Sequence, residues 1–450
     1  MIDPTTTDLT VTGPAVTGLT SPADTGPIDR PGPAEPTGLS DLVGFVREHS
    51  PYYRDRYAAL PPGPVRLEEL PVLDHADFWA ANTAHDSQVL TGPLTDGIVF
   101  KSGGTTTEPK LSVYTRRELL GMARLQGNGF AQAGLRPGDR VANLFYAGEL
   151  YASFLFNVLC LQESSVPNVH LPVASAPLEY TARVIHEFSA TVLMGPPTSI
   201  CQLAARLDDS GCPAPDVRLV MFGGESFYED QRPLLAAAFP NAAIRSLGYG
   251  SVDGGMLGAP VADDPDPRVH RVHRPQTVME VVDDDTGEPI TEPGRPGRLV
   301  VTDLARRLMP VLRYPTGDRG EWVDRADGLF RLLGRSDEGA RVGPITLYLE
   351  DLRAVVRHVA DGRSLVGVQV VQRRRAAKDE LVLRVAGDLG DPVTAGKAIA
   401  ARLDEIRPMF AEHVTAGLIN PLSVECVPAD RLAVNPRTGK LLRLIDERQP

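Results

Sequence analysis

The chain has 450 residues, of which 42% are hydrophobic, and a formal net charge of −12 at neutral pH. That length allows two or three domains with a large core, while the acidic balance argues against a nucleic-acid or anionic-membrane partner. No apolar run is long enough to span a bilayer, and no basic start followed by an apolar core predicts a signal peptide. The cysteines show no CxxC spacing, so we expect a cytoplasmic, reducing environment and no zinc site.

The amino-terminal quarter leads into a predicted hairpin. Residues 1–37 are rich in Pro, Gly, Thr and Asp, which predicts a disordered tail, and a helical pattern follows at 39–48. An apolar extended segment then enters the loop Ser102-Gly-Gly-Thr-Thr-Thr-Glu-Pro-Lys110. Thr115-Arg-Arg-Glu118 has the spacing of a capping box and predicts a helix that ends near Gly134. The loop is therefore expected at the tip of a strand pair.

This loop has the composition of an anion-binding loop. Its glycines and hydroxyl residues are Ser102, Gly103, Gly104, Thr105, Thr106 and Thr107. Glycine lets backbone N–H groups approach an anion closely, and the hydroxyls and Lys110 add donors and charge. Pro109 before the lysine and strand-like alternation after it exclude a Walker A loop, which needs Gly before Lys and a following helix. We expect a polyphosphate site; a flexible surface hairpin is the alternative.

Strands and helices then alternate. Strands are predicted at 141–145, 165–170, 191–194, 218–222 and 243–247, and helices at 151–161, 178–188, 199–207 and 228–239. Alternation predicts parallel strands with helices on both faces. Three of these strands end in glycine-rich turns, at Gly195, Gly223 and Gly248, and ligands bind at the carboxyl ends of such strands.

The last part of the chain does not continue the alternation of strands and helices. Short strands at 277–282, 297–303, 311–314 and 329–333, separated by Pro and Gly turns, predict an antiparallel barrel or meander. Beyond a boundary at Gly334-Arg-Ser-Asp337, the order helix, strand, strand, helix, strand predicts a small α+β domain. The predicted fold class is thus α/β: a large domain at 38–334, of parallel sheets plus a small antiparallel β subdomain, followed by the small α+β domain at 335–450.

A series of motifs resembles the adenylate-forming superfamily of acyl-CoA synthetases, peptide-synthetase adenylation domains and luciferases. The motifs, in order, are the Ser102–Lys110 loop, Gly223-Gly-Glu225, Tyr249-Gly-Ser-Val-Asp253, Tyr314-Pro-Thr-Gly-Asp318, Gly334-Arg-Ser-Asp337 and Asn435-Pro-Arg-Thr-Gly-Lys440. The short chain and the doubled glycine of the loop resemble the phenylacetate-CoA ligase and acyl-protein synthetase branch, and related adenylating enzymes of antibiotic pathways. The resemblance implies an AMP-binding domain, a mobile carboxy-terminal domain and a place in secondary metabolism.

The resemblance also implies a nucleotide site. Its residues would be Ser102, Gly103, Gly104, Thr105, Thr106, Thr107, Lys110, Gly223, Gly224, Glu225, Tyr249, Gly250, Ser251, Asp318 and Arg335. In the family's pattern the loop binds the β- and γ-phosphates of ATP, Tyr249 stacks on adenine beside the backbone of the Gly223 turn, and Asp318 binds both ribose hydroxyls. Arg335 would contact the nucleotide from the domain boundary. Taken singly, Tyr249 also fits a packed aromatic, and Asp318 an ordinary turn residue.

Chemistry and metal binding follow from the same resemblance. Lys440 would be the catalytic residue that stabilises charge on the phosphoryl oxygens, and Asp337 would be the hinge. The family's Thr-Glu pair is Val252-Asp253 here: valine offers no hydroxyl to the α-phosphate, while Asp253 can bind Mg²⁺, directly or through a water. We therefore expect Mg²⁺ at Asp253 and an α-phosphate donor elsewhere, such as Thr105 or Thr106.

Two more segments would contact substrates. Gly343 would line a channel for the thiol, CoA or a carrier protein. The acyl pocket is expected to include Tyr146, Ala147, Gly148 and Tyr151, at a strand end that opens a helix. Flat aromatic walls beside small residues favour an aromatic acid over a long alkyl chain. The alternative, especially for Tyr151, is that the aromatics fill core space.

The expected function is therefore ATP-dependent activation of a carboxylic acid as acyl-AMP, with pyrophosphate release, followed by transfer to a thiol. ATP and Mg²⁺ would be needed, with CoA or a phosphopantetheinyl carrier as co-substrate. Two alternatives stay open: a ligase with an amine acceptor or with nitrite as the activated group, and an inactive nucleotide-binding scaffold. Partners would be a small acid and a carrier protein or pathway enzyme, in a monomer or homodimer. The sequence does not identify the acid or the acceptor.

Overall fold

The computed structural model describes residues 38–61, 63–101, 110–261, 264–335 and 339–448. Contacts group these described residues into one compact unit. The predicted tail lies outside the described residues, as do positions 102–109 of the loop and position 337 of the boundary motif. The predicted domain limits stay predictions.

The described chain begins with helices that cover one side of the molecule. They are α1 Leu39–His49, α2 Pro51–Arg56 and α3 His75–Ala80, with a 3-10 turn at Leu67–Glu69. Their apolar side chains, such as Val46, Tyr53 and Phe78, are fully buried in a core shared with the antiparallel sheet described below. This burial holds α3 beside the predicted site.

The hairpin around the loop is present. Strands β1 Gly97–Lys101 and β2 Leu111–Thr115 pair antiparallel, with Lys101 opposite Leu111. Helix α4 Arg116–Ala133 starts at a capping box: the Thr115 hydroxyl accepts from the Glu118 N–H at 3.2 Å, and the Glu118 carboxylate accepts from the Thr115 N–H at 2.8 Å. The helix ends at Gly134, whose φ of 108° is a conformation that glycine adopts readily. The predicted hairpin and helix are thereby confirmed.

A five-stranded parallel sheet follows, in the order β4-β3-β5-β6-β7. Its elements are β3 Asp139–Asn143, α5 Ser153–Glu163, β4 Asn168–Leu171, α6 Leu178–Glu187, β5 Val192–Gly195, α7 Pro197–Asp209, β6 Leu219–Phe222, α8 Arg232–Ala238 and β7 Ala243–Ser246. Alternate strand residues enter two separate cores, one with α4 and α5 and the other with α6, α7 and α8. The predicted parallel sheet with helices on both faces is confirmed. The predicted helix at 228–239 is shorter, because Pro233 fits only its first turn and a 3-10 turn, Glu229–Gln231, precedes it.

The next part is one antiparallel sheet of eight strands, in the order β12-β11-β13-β14-β15-β10-β9-β8. The strands are β8 Tyr249–Ser251, β9 Gly255–Pro260, β10 Val269–Val272, β11 Thr277–Val282, β12 Pro289–Ile290, β13 Gly297–Asp303, β14 Val311–Asp324 and β15 Leu329–Arg335. Several neighbours follow directly in sequence, as in a meander. The strand predicted at 311–314 continues to Asp324, because Pro315 still pairs with Val300 and a register shift against β13 accommodates residues 316–318 as a bulge.

The carboxy-terminal part has its own core and a four-stranded sheet, in the order β20-β19-β18-β21. Its elements are the hairpin β16 Gly339–Val342 and β17 Ile345–Tyr348, then α9 Leu349–Ala360, β18 Leu365–Arg375, β19 Lys378–Gly387, α10 Pro392–Ile406, α11 Pro408–Thr415, β20 Ser423–Cys426 and β21 Leu444–Asp446, with a 3-10 turn at Ala429–Arg431. The predicted order of elements is present. Helix α11 was not predicted, because Pro408, which starts it, reads as a helix end in sequence.

Among the helices of the described residues, none combines the length and the apolar character needed to cross a bilayer.

A buried ion pair, between Glu280 on β11 and Arg313 on β14, stabilises the antiparallel sheet. The Arg313 guanidinium donates to both carboxylate oxygens of Glu280, at 2.9 and 3.0 Å, and the two residues are 5% and 9% exposed. Glu280→Ala is expected to lower the free energy of unfolding by about 3–5 kcal/mol, because it leaves a buried guanidinium without its carboxylate. Urea unfolding measures the change. Arg295→Ala removes an exposed pair with Asp283 and should cost no more than about 1 kcal/mol; equal losses in the two variants would contradict the expectation.

Candidate active site

The site lies where several strands end. The carboxyl ends of β5, β6 and β7 meet at one edge of the parallel sheet, as parallel pairing requires. The Gly223-Gly224-Glu225 turn follows β6, and Tyr249, Gly250 and Ser251 form β8 shortly after β7. The predicted adenine-side segments are therefore brought together by the fold.

Lys440 reaches this edge from the far end of the chain. An atom added as Cβ on Gly224 would lie 3.1 Å from the Lys440 Nζ. The N–H of the next residue, Leu441, donates to the Glu225 Oε1 at 2.7 Å. The predicted catalytic lysine and the predicted Gly223 turn are thus in contact, although more than 200 residues separate them in sequence.

Tyr249 and Asp318 also meet. The Tyr249 hydroxyl donates to the Asp318 Oδ2 at 2.7 Å, and burial together with this carboxylate raises the pKa of the Tyr249 phenol. The Tyr249 ring packs against Phe330, with centroids 5.8 Å apart, and is 7% exposed. Asp318 lies opposite Arg335 in the β14–β15 ladder, and the Arg335 guanidinium lies beside Gly317. Three residues predicted to bind one nucleoside therefore share a small region.

Asp253 lies beside the β2 strand. Its carboxylate accepts from the Ser112 hydroxyl at 3.2 Å and from the Tyr314 hydroxyl at 3.3 Å. The Tyr314 oxygen in turn accepts from the Trp79 Nε1 at 3.0 Å. The described residues contain no cluster of three His, Cys, Asp or Glu side chains that could hold a metal ion. The Asp253 carboxylate is thus oriented by two hydroxyl donors, and its predicted role as a Mg²⁺ ligand stays a prediction.

The Lys110 end of the loop has partners that the sequence did not suggest. The Lys110 Nζ donates to the His75 Nε2 at 2.7 Å and lies 5.7 Å from the centre of the Trp79 ring. Burial, and then the Lys110 ammonium, lowers the pKa of His75. The i, i+4 spacing of His75 and Trp79 on α3 is the one sequence signal that could have pointed to them. The loop residues Ser102, Gly103, Gly104, Thr105, Thr106 and Thr107 lie outside the described part of the chain.

The predicted acyl-pocket residues lie in the segment between β3 and α5. Tyr146 is half-buried, which raises the pKa of its phenol, and Tyr151 is 8% exposed. Ala147 and Gly148 are exposed, and Gly148 has a φ of 100°. The Tyr146 ring contacts the Lys440 turn: a Cβ on Gly439 would lie 1.8 Å from the Tyr146 Cε2. The segment is thus next to the predicted catalytic residue.

Of the two predicted transfer elements, the structure describes only Gly343, which lies away from the strand edge. Gly343, at the β16–β17 turn, has a φ of 56°; its N–H donates to the Asp379 Oδ2 at 2.9 Å, and its Cα faces Ile419. These contacts are within the carboxy-terminal part. Asp337, the predicted hinge, lies outside the described residues. The structure therefore brings Lys440 to the strand edge, and it places the Gly343 turn against its own sheet.

The chain is similar to known proteins over most of its length. A profile of the AMP-binding enzyme family matches residues 98–304. A phenylacetate-coenzyme A ligase of Thermus thermophilus is 27% identical over 433 residues, which cover 91% of this chain and 95% of that protein. An indoleacetate–lysine synthetase of Pseudomonas savastanoi is 24% identical over 330 residues, covering 72% and 76%. A 2-hydroxyisobutyryl-CoA ligase, solved in the postadenylation state with 2-HIB-AMP, shares the fold with a TM-score of 0.67 at 20% identity, covering 91% of this chain and 88% of that one.

These findings support the adenylate-forming superfamily for this chain, in its phenylacetate-CoA ligase-like branch. The predicted fold class and the predicted class of enzyme, an ATP-dependent, adenylate-forming acid–thiol ligase, are confirmed. The roles of individual residues stay predictions.

Proposed function

We propose that this enzyme activates a carboxylic acid with Mg·ATP as acyl-AMP, releases pyrophosphate and transfers the acyl group to the thiol of CoA. The observation that carries the proposal is the position of Lys440. Its side chain lies at the Gly223 turn, on the side of the predicted adenine site, while the residue before it contacts Tyr146 of the predicted acyl pocket. A cation at that junction can contact both the carboxylate and the α-phosphate.

The first step joins the two substrates. A carboxylate oxygen attacks the α-phosphorus, the bond from that phosphorus to the bridging oxygen breaks, and pyrophosphate leaves. Lys440 stabilises the negative charge that builds on the phosphoryl oxygens and holds the carboxylate close to them. Asp318 and Tyr249 would hold the nucleoside, and Lys110 with the Ser102–Thr107 loop would hold the leaving phosphates.

Mg²⁺ would supply charge neutralisation between the phosphates. Asp253 fits as its protein ligand, because its carboxylate is already oriented by two hydroxyl donors, Ser112 and Tyr314. Val252 cannot donate to the α-phosphate, so that contact falls to the hydroxyls of the loop.

In the second step the CoA sulfur attacks the acyl carbonyl carbon and AMP leaves with the oxygen that came from the acid. We propose that the carboxy-terminal part rotates about Asp337 between the steps, which withdraws Lys440 and presents the Gly343 turn to the thiol. The present contacts of Gly343, which lie away from the strand edge, support a separate arrangement for transfer.

For the acid, we propose an aromatic substrate. The half-buried Tyr146 and the buried Tyr151 support it, because rings offer flat apolar walls. The names of the phenylacetate-CoA ligases agree, whereas the fold is shared with a ligase for a small aliphatic acid. A carrier-protein thiol in place of CoA is a further acceptor to test.

The experiment is a pyrophosphate-release screen of aryl and short acyl acids, with mass detection of acyl-AMP. Arylacetates are expected to give signal above 2-hydroxyisobutyrate. Thioester formed with CoA supports the proposal. Amide formed with lysine but no thioester would favour the amine-acceptor alternative, which the Pseudomonas savastanoi relative makes specific. If none of the screened acids causes pyrophosphate release, the inactive-scaffold alternative is supported.

A further inference from the structure

The Lys440 side chain projects from the end of a short hairpin. Val434 and Leu441 pair as an antiparallel bridge, and the Leu442 N–H donates to the Ala433 carbonyl at 3.0 Å. Within the turn, the Gly439 N–H donates to the Asn435 carbonyl at 2.8 Å. These bonds set the shape of the turn. The position of Lys440 relative to the end of β6 must come from contacts outside it.

One such contact follows Lys440 directly. The Leu441 N–H donates to the Glu225 Oε1 at 2.7 Å. The same carboxylate accepts from the Thr198 N–H and from the Thr198 hydroxyl, each at 3.0 Å. Thr198 is 8% exposed in the first turn of α7, where the helix dipole favours a carboxylate. Glu225 therefore ties the backbone after Lys440 to a buried helix start, through hydrogen bonds of the strong, charge-assisted kind.

A second contact precedes Lys440 directly. Gly439 has a φ of 66° and lies so close to the Tyr146 ring that an added Cβ would be 1.8 Å from Cε2. The Tyr146 backbone is itself tied to α5, because its carbonyl accepts from the Phe154 N–H at 3.3 Å. Residues 439 and 441 are thus both held on the large part of the molecule, with Lys440 between them.

We propose that Glu225 and Tyr146 are positioning residues for acyl-AMP formation, which clamp the backbone on both sides of Lys440 at the end of β6. The proposal rests on the proposed function, because it assumes that Lys440 stabilises the first transition state. In this role both residues act through Lys440, and for Tyr146 the role is additional to its place in the proposed acyl pocket. A displacement of about 1 Å can cost about 10²-fold in rate, so the loss of one of two anchors is expected to cost about 10- to 100-fold.

The first test separates the two half-reactions. Glu225→Ala is expected to lower acid-dependent pyrophosphate release by about 10- to 100-fold and to change thioester formation from supplied acyl-AMP and CoA by less than about 3-fold. Glu229→Ala is the matched control, since Glu229 is exposed and pairs with Arg232 on the same segment; it should change neither rate. Equal losses in both half-reactions, or no loss in either, would overturn the positioning role.

Two further variants show whether the effect passes through Lys440. In a Lys440→Ala background, Glu225→Ala should add no further loss to acyl-AMP formation, whereas multiplying losses would mean that Glu225 acts independently. Tyr146→Ala removes the ring under Gly439 and should lower the rate about 10-fold or more, whereas Tyr146→Phe keeps that ring and should lower it less. Equal rates for the two Tyr146 variants would remove Tyr146 from the clamp.

A second measurement does not depend on activity. Hydrogen exchange of a peptide covering 436–443 should show protection in the wild type that Glu225→Ala weakens at least about 10-fold and Glu229→Ala leaves unchanged. Unprotected exchange in the wild type would overturn the clamp whatever the enzyme catalyses. Protection as expected, in a protein that forms acyl-AMP with none of the acids screened, would leave the clamp standing and remove the proposed function.

Discussion

Lys440→Ala is expected to form acyl-AMP about 10²- to 10³-fold more slowly than the wild type, the loss typical of removing one donor from developing negative charge. The Lys440 ammonium lies at the Gly223 turn, beside the predicted adenine and acyl sites. Alanine removes the charge and changes neither of the backbone contacts that hold the turn. The rate is measured as acid-dependent pyrophosphate release in a single turnover.

The matched control is Lys397→Ala, an exposed lysine on α10 that should leave the rate unchanged. Thioester formation from supplied acyl-AMP should survive Lys440→Ala, because in the proposed transfer step the turn is withdrawn. Wild-type pyrophosphate release by Lys440→Ala would mean that another group stabilises the transition state.

Gly439→Ala is expected to lower acyl-AMP formation by about 10²-fold or more, for a geometric reason. The added methyl would lie 1.8 Å from the Tyr146 Cε2, a distance no real contact reaches, and a φ of 66° is one that residues other than glycine rarely adopt. The turn can therefore not close on the Tyr146 ring with Lys440 in its present place. Pyrophosphate release and thioester formation from supplied acyl-AMP are measured separately, and only the first should fall.

Gly362→Ala is the matched control, because it introduces the same backbone strain without a steric clash. Gly362 has a φ of 79° and open space where its Cβ would lie. It should keep the rate of acyl-AMP formation while losing some stability. Tyr146→Ala in the Gly439→Ala background should recover part of the loss, since it removes the ring that the methyl would meet. A Gly439→Ala enzyme with unchanged acyl-AMP formation would show that adenylation does not need this closure.

Local patterns were enough to predict most of the fold. The capping box at Thr115 and the glycine at 134 fix the ends of α4 through bonds within a few residues, and the strand–helix alternation fixes the parallel sheet. The predictions were less accurate where tertiary pairing overrides local signals. Strand β14 continues through Pro315 and Gly317 because β13 accommodates the bulge, and Pro408 begins a helix instead of ending one.

For the candidate site, too, some features were predicted from the sequence and others were not. The motifs pointed to Tyr249, Asp318 and Lys440, and the fold brings Tyr249 to Asp318 and Lys440 to the Gly223 turn. The side-chain partners could not be predicted, because Glu225 and Leu441 are 216 residues apart and their contact leaves no periodic pattern in the sequence. His75 and Trp79 lie in a segment without a motif and meet Lys110 only through the packing of α3.

The most direct measurement traces the carboxylate oxygens of the acid into the two products, AMP and the thioester. Phenylacetate, or whichever acid the screen selects, is labelled with ¹⁸O in both carboxylate oxygens and incubated with ATP, Mg²⁺, CoA and enzyme. Attack of the carboxylate on the α-phosphorus predicts that the AMP released carries one ¹⁸O atom and that the thioester keeps the other. Unlabelled AMP formed together with thioester would contradict activation through acyl-AMP.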